Sequence, residues 1–368
     1  MSETLYSFQT LIIGLALLSL FRNHSLVVRL QIVTWTVGVI VVAWRFGLVD
    51  QLDFYSNDQR YYQQVVETLL AERTLVSEAF SIEASKIPFT GSALILAAAG
   101  VHPALALKTI SQISLLVLTS DILRKYKERN QFGQLQILFF TGCGGIGAFF
   151  SILALRETMM MMFVYRYATS MSTVSRILSA IAVYLLRPHL AVALLVGELL
   201  ATLWRWQSRS KRISQLSMVF FTLTSAITGS VFFSLQAILF YGTDTLQIRA
   251  FTVSNATRIA SNFVGLQFLS VQQETVDFPL ISLFLLRLLF SETVLIPLSF
   301  TFFCLAFAQK MNLKYLSTLA AFTVYVSIVT NTDFNSFRQN IPFMPLLGCA
   351  IMDMIRTKQF KRADLSLR

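Results

Sequence analysis

An all-α bundle of transmembrane helices is the fold class this sequence predicts, on three observations. Of the 368 residues, 55% are hydrophobic and only 13% charged, with a mean hydropathy of +0.63; a soluble domain carries roughly 25% charged residues. The apolar residues fall into runs near the roughly 17–25 residues a helix needs to cross a bilayer. The basic residues, which bring the net charge to +11, stand in short clusters between those runs. Positive-inside insertion leaves that arrangement, and anionic headgroups suit it too. The 32 phenylalanines suit lipid-facing helices better than a polar pore.

The same composition excludes other classes. No basic face with interleaved aromatics is offered to a duplex, so nucleic acid is not an expected partner. Cys143, Cys304 and Cys349 lie far apart in apolar segments and read as small core residues, implying neither a disulfide framework nor a metal site. No cofactor is expected. Residues 5–21 are apolar but lack a preceding basic region, so they read as a first helix and not as a cleaved leader.

In chain order, Leu5–Phe21 and Leu26–Trp44 are the first two spans, joined by the basic turn at Arg22. Residues 45–86 form a first long external loop. From Asp58 to about residue 85 its apolar residues recur at helical spacing (Val65, Leu69, Val76, Phe80), which predicts an amphipathic helix along the membrane surface. Asp58 stands at its start, and two readings are open: a carboxylate capping free N–H groups, or, with Asp50 and Asp53, the mouth of an external cavity whose aromatics, Tyr61 and Tyr62, stack on substrate. Residues 87–101, with Pro88, Gly91 and Gly100, are too short for a crossing and read as a re-entrant or surface hairpin. Leu105–Leu123 is a clear span ending in a basic run from Arg124 to Arg129.

Leu135–Leu155 returns outward through a glycine-rich stretch, 141–147, which permits close helix packing or a broken helix. Thr158–Ser170 and Thr173–Leu186 are two short crossings, and Leu190–Trp204 descends to basic residues at 205–212. Ile213–Tyr241 climbs out, 242–279 is a second long external loop, and Leu280–Ala308 crosses inward with Arg287 and Glu292 spaced for mutual pairing. Leu316–Thr330 and Ile341–Ile355 complete a single transmembrane domain over 1–368 with about 11 crossings, the N-terminus outside and the C-terminus inside.

That topology leaves Asp58, Arg156, Glu157, Arg187, His189, Arg258 and Arg338 on or just below the external side. Cytoplasmic basics are explained by insertion, whereas external arginines at membrane ends oppose the bias. An anionic ligand explains them economically, since the guanidinium fork matches phosphate. Ionisable groups at such boundaries mark functional sites by default.

Arg156-Glu157 opening a helix, the Leu186-Arg187-Pro188-His189 step, and the late Arg338-Gln339 with Pro342 resemble bacterial exopolysaccharide and O-antigen polymerases, polytopic membrane glycosyltransferases with a GT-C-like fold. Trp44-Arg45-Phe46-Gly47 ahead of Asp58 and Tyr61 adds to the resemblance, which spans residues 40–345. It implies an inner-membrane enzyme whose outer-face cavity joins sugars carried on polyprenyl (pyro)phosphate. The arginines Arg156, Arg187, Arg338 and Arg258 would hold phosphate, and Asp53, Tyr61 and Tyr62 would contact sugar. It also implies polysaccharide assembly partners and contacts with membrane lipids. Two departures stand out: the family often has Arg-Gln where this chain has Arg156-Glu157, and related single-sugar transferases place their first-loop aspartate after one helix, not two.

Transfer from a lipid-phosphate donor needs a leaving group stabilised by cations and a base for the acceptor hydroxyl. Arginines would supply that charge, and Asp58 and His189 are the candidate bases. Each has a bland alternative: a capping Asp58, an interfacial His189 bonded to backbone, an Arg187 that ends its helix ahead of Pro188. Two further functions stay open, a single-sugar transferase and a transporter or flippase of a lipid-linked anionic substrate.

Overall fold

The computed structural model describes residues 3–46, 56–72, 87–127, 131–207, 219–229, 231, 316–330 and 337–353. All regular elements among them are helical. The chain forms two compact units, Met1–Pro188 and His189–Arg368. The long loop at 242–279, the crossing at 280–308 and the C-terminal basic tail lie outside the described residues.

The first unit opens with α1 (Glu3–Leu20) and α2 (Leu26–Phe46), antiparallel neighbours. Gly14 lets α1 approach Thr36 of α2, and Trp44 donates its indole N–H to Ser7 Oγ (2.8 Å). Their outward faces are apolar: Leu15 is 67% and Val41 57% exposed. Next come α3 (Ser56–Glu72), α4 (Ile87–Ala98) and α5 (Pro103–Lys125). Gly100, with φ 91°, makes the tight turn between α4 and α5. His102 caps α5, its Nδ1 accepting the Ala104 N–H at 3.3 Å, while Pro103 takes the first helical position, where a missing N–H costs nothing.

One sequence expectation changes here and one open choice is resolved. Residues 87–101 hold one short helix, α4, packed between α3 and α5, not a hairpin; the chain reverses only at Gly100. Of the two readings open for the glycine-rich stretch inside 135–155, the broken helix holds: the run divides into α6 (Gln131–Phe140) and α7 (Ile146–Ile152). Gly142 adopts φ 72°, a left-handed conformation that glycine reaches without the Cβ penalty. Its carbonyl accepts the Gly147 N–H at 2.7 Å, closing the turn.

The helix expected from Asp58 to about residue 85 is described from Ser56 to Glu72. Its buried stripe is Gln59, Tyr62 and Val66, and that face lies on protein, against α4 and α5. Helices α8 (Glu157–Thr169) and α9 (Thr173–Leu186) follow as an antiparallel hairpin. Helix α9 is apolar on both faces. Val174, Ile177, Leu178, Ile181 and Tyr184 are exposed while Ser179, Val183 and Leu186 are buried, the arrangement that a lipid surround favours.

The second unit contains α10 (Pro188–Gln207), α11 (Val219–Gly229), α12 (Leu316–Thr330), a 3-10 turn (Phe337–Phe343) and α13 (344–353). Helix α12 is buried along most of its length. Gly197 of α10 lies against the backbone of Ala321, and Gly229 of α11 against Val324. Phe343 packs edge-on to Phe322, with ring centroids 5.5 Å apart, and beside Tyr325 at 5.4 Å. Among the described residues, four helices are long and apolar enough to cross a bilayer: α1, α2, α5 and α10.

Candidate anion site at the end of the α8–α9 hairpin

Contacts between α5 and α8 fix their register. Ser111 Oγ donates to the Leu155 carbonyl just ahead of α8 (2.8 Å), and Arg166 Nε near the end of α8 donates to Asp121 Oδ2 (2.8 Å). The two helices therefore run parallel, and the start of α8 lies level with Ser111. That level is about 12 Å along α5 from Pro103, at 1.5 Å per residue. Several helix ends meet there. The N-terminus of α8 and the C-terminus of α9 are joined by side chains, and the first turn of α4 reaches the same place through Phe89.

The turn into α8 is strained: Ala154, buried and not glycine, adopts φ 58°, at a cost of roughly 1–2 kcal/mol. Strain of this kind gathers at functional sites. Arg156 follows as the residue flanking α8, and no side chain caps the helix. Its Nη1 donates to the Leu186 carbonyl at 2.6 Å, satisfying a terminal carbonyl of α9. Its guanidinium carbon lies 6.0 Å from the centroid of the Tyr62 ring, within cation–π range. Tyr62 in turn packs edge-on against Phe89 (5.4 Å).

Glu157, in the first turn of α8, is fully buried, and its Oε1 lies 3.9 Å from Nη2 of Arg187, whose side chain is 13% exposed. Each charge complements a helix end: the carboxylate sits at the positive N-terminus of α8, the guanidinium at the negative C-terminus of α9. Two donors nearby are buried without a hydrogen-bond acceptor among the described residues, Arg156 Nε and Thr158 Oγ1. Two arginines and one carboxylate give this place a net positive charge, suited to an anion.

The structure thus brings Arg156, Arg187 and Tyr62 together. Tyr61 adjoins them, its ring 5.8 Å from that of Tyr62. Asp58 is exposed on α3 and precedes Tyr62 by one helical turn on the same face. His189 is half-buried at the start of α10, and Arg338 lies in the 3-10 turn; both belong to the second unit. The side chain of Arg338, and Arg258 and Asp53 entirely, lie outside the described residues. Among the described residues no three His, Cys, Asp or Glu side chains gather as metal ligands.

Sequence reasoning missed the polar face of α5. Lys108, Ser111 and Gln112 are fully buried, and Lys108 Nζ lies 5.9 Å from the Tyr6 ring centroid. Neither amide atom of Gln112 has a hydrogen-bond partner among the described residues. The signal was present as polar residues at helical spacing inside an apolar run. Comparison with family models, curated proteins and solved structures finds no match to this chain.

Proposed function

We propose that this protein is a membrane glycosyltransferase of the polymerase type, acting at the outer face of a bacterial inner membrane on polyprenyl-(pyro)phosphate-linked saccharides. In this reading the chain crosses the membrane about 11 times in a GT-C-like bundle that serves surface polysaccharide synthesis with assembly partners. The observation that carries it is the convergence of Arg156, Arg187 and Tyr62 at one point of a bundle whose outward faces are apolar, with Asp58 a turn away. The arginines would neutralise the phosphate leaving group, Tyr62 and Tyr61 would offer aromatic faces to the sugar, and Asp58 would take the proton from the acceptor hydroxyl. His189, Arg338, Arg258 and Asp53 are further contributors in the same scheme. Transfer of a single sugar from a polyprenyl-phosphate donor uses the same groups and is the closest variant.

A transporter or flippase of an anionic lipid-linked substrate is the second reading. Helix ends that meet partway along α5 favour it, because discontinuous helices commonly form the substrate sites of transporters. One experiment separates the two. Arg156→Ala, Arg187→Ala and Asp58→Ala are made singly, and cell-surface polymer and intracellular lipid-linked precursor are measured. The enzyme reading expects each variant to lose polymer by about 100-fold or more, as loss of general-base or electrostatic help implies, while precursor still reaches the outer leaflet. Normal polymer in all three overturns it. Precursor trapped on the inner leaflet favours the transporter.

A further inference from the structure

We propose that the turn between α1 and α2 is a docking surface for anionic phospholipid headgroups, held by Arg22 and Arg29. The inference is independent of the sugar-transfer reading and needs only that the α1–α2 hairpin spans a bilayer. Three observations carry it. Both arginines are exposed, and among the described residues neither side chain makes an ion pair or a hydrogen bond. The chain has no carboxylate between Glu3 and Asp50, so the turn and the helix that follows it offer these charges no counter-ion. Next, the turn stands at headgroup depth. With 18 and 21 residues at 1.5 Å each, α1 and α2 are about 27 and 31 Å long, close to the roughly 30 Å of a hydrocarbon core. Leu20, 74% exposed, and the exposed Leu26 and Leu30 flank the arginines with apolar surface for acyl chains. A soluble anion would have no use for that surface. Finally, Arg29 completes the first turn of α2, its backbone N–H bonded to the Ser25 carbonyl at 3.3 Å. That end of the helix is the positive one, where a cation is disfavoured. Arg45, in the last turn of the same helix, has the dipole in its favour. An anion beside Arg29 offsets both the guanidinium and the helix end.

Insertion bias alone also leaves basic residues in such a turn. It fixes the side of the membrane on which the charge remains and supplies no counter-ion. The two roles diverge once the protein is folded and purified. A turn kept basic only for insertion shows no preference among lipids, whereas a headgroup surface discriminates anionic from zwitterionic ones.

The test is equilibrium binding of dihexanoyl phosphatidylglycerol to the full-length protein in a neutral detergent, with dihexanoyl phosphatidylcholine as the zwitterionic control. Melting temperature in bilayer discs of phosphatidylcholine, with and without phosphatidylglycerol, is a second readout. The parent is expected to prefer the anionic lipid in both. Arg22→Gln and Arg29→Gln should each weaken its binding about fivefold, the factor that one basic residue at a headgroup surface supplies. The double variant should lose most of the preference while melting like the parent in phosphatidylcholine alone; the single variants carry the test if the double variant does not fold. Arg45→Gln removes the same charge from the other end of α2 and should bind like the parent. High salt should diminish the preference by screening. A parent without preference, variants at residues 22 and 29 that bind like the parent, or equal weakening by Arg45→Gln would each overturn the proposal. So would glycerol phosphate binding as tightly as the lipid, which would assign the turn to soluble anions.

Discussion

Helix α8 carries an arginine–carboxylate pair at each end, and the two pairs are built differently. At its C-terminal end Arg166 meets Asp121 at 2.8 Å, with the side chains 39% and 24% exposed. At its N-terminal end Arg187 meets Glu157 at 3.9 Å, with exposures of 13% and 0%. The exposed pair has the better geometry, and the buried pair has the poorer geometry in the setting where geometry matters more. A solvated pair contributes little because water screens it. Desolvated charges depend on each other, and removing one partner strands the other. The tight pair therefore reads as a fastener between α5 and α8, and the buried one as a link between the start of α8 and the end of α9.

The largest expected effect breaks the buried pair. Arg187→Leu should cost about 3–5 kcal/mol by leaving Glu157 without its cation, whereas Arg166→Leu should cost only ~0–1 kcal/mol at the exposed end. Thermal or denaturant unfolding in detergent reads both, and equal losses would erase the distinction between the ends.

A second change sharpens the account of the buried level. Gln112 is fully buried without a partner for either amide atom among the described residues. An unsatisfied buried polar group costs about 1–3 kcal/mol, and an apolar replacement of similar size removes that cost. Gln112→Leu is thus expected to leave stability unchanged or raise it. A clear drop in melting temperature would mean that the amide has a partner, such as internal water.

Much of this bundle was legible in the sequence, and the reason is hydrophobic length. The helices expected at Leu26–Trp44, Thr173–Leu186 and Leu316–Thr330 agree closely with α2, α9 and α12, because apolar runs bounded by polar turns leave few alternatives, and of the three only α2 has the length of a crossing. The break inside 135–155 was visible only as a cluster of glycines, which can equally serve close packing, as Gly147 does against Leu115. Of the site, Arg156 and Arg187 could be singled out because charge at an apolar boundary is conspicuous. Their common location could not be read, since it depends on α8 and α9 folding back so that residues 156 and 186 meet. Tyr62 was expected to face sugar; its packing between Arg156 and Phe89 depends on how α3 docks on α4, which no local pattern encodes.

The smallest expected effect lies at the other end of α5, and it depends on pH. His102 caps that helix through a neutral Nδ1, and burial holds its imidazole below the ordinary histidine range, with Lys108 acting in the same direction and Glu67 opposing. The unfolded chain therefore takes up the proton more readily than the folded one. The cap's contribution is fully present above the ordinary value of about 6.5 and is lost as the pH falls through the lower folded value. His102→Asn, which can cap without titrating, should flatten the pH dependence of melting below neutrality. The parent losing no stability between neutral and mildly acidic pH would contradict this.

The central claim is that the buried end of α8 holds phosphate and the exposed end does not. Binding of a short-chain polyprenyl phosphate to the purified full-length protein tests it directly, with Arg156→Gln, Arg187→Gln and Arg166→Gln compared side by side. The first two are expected to weaken binding by about tenfold or more, in line with the loss of a charge-assisted contact, and Arg166→Gln to bind like the parent. Equal weakening in all three, or in Arg166→Gln alone, would contradict the account.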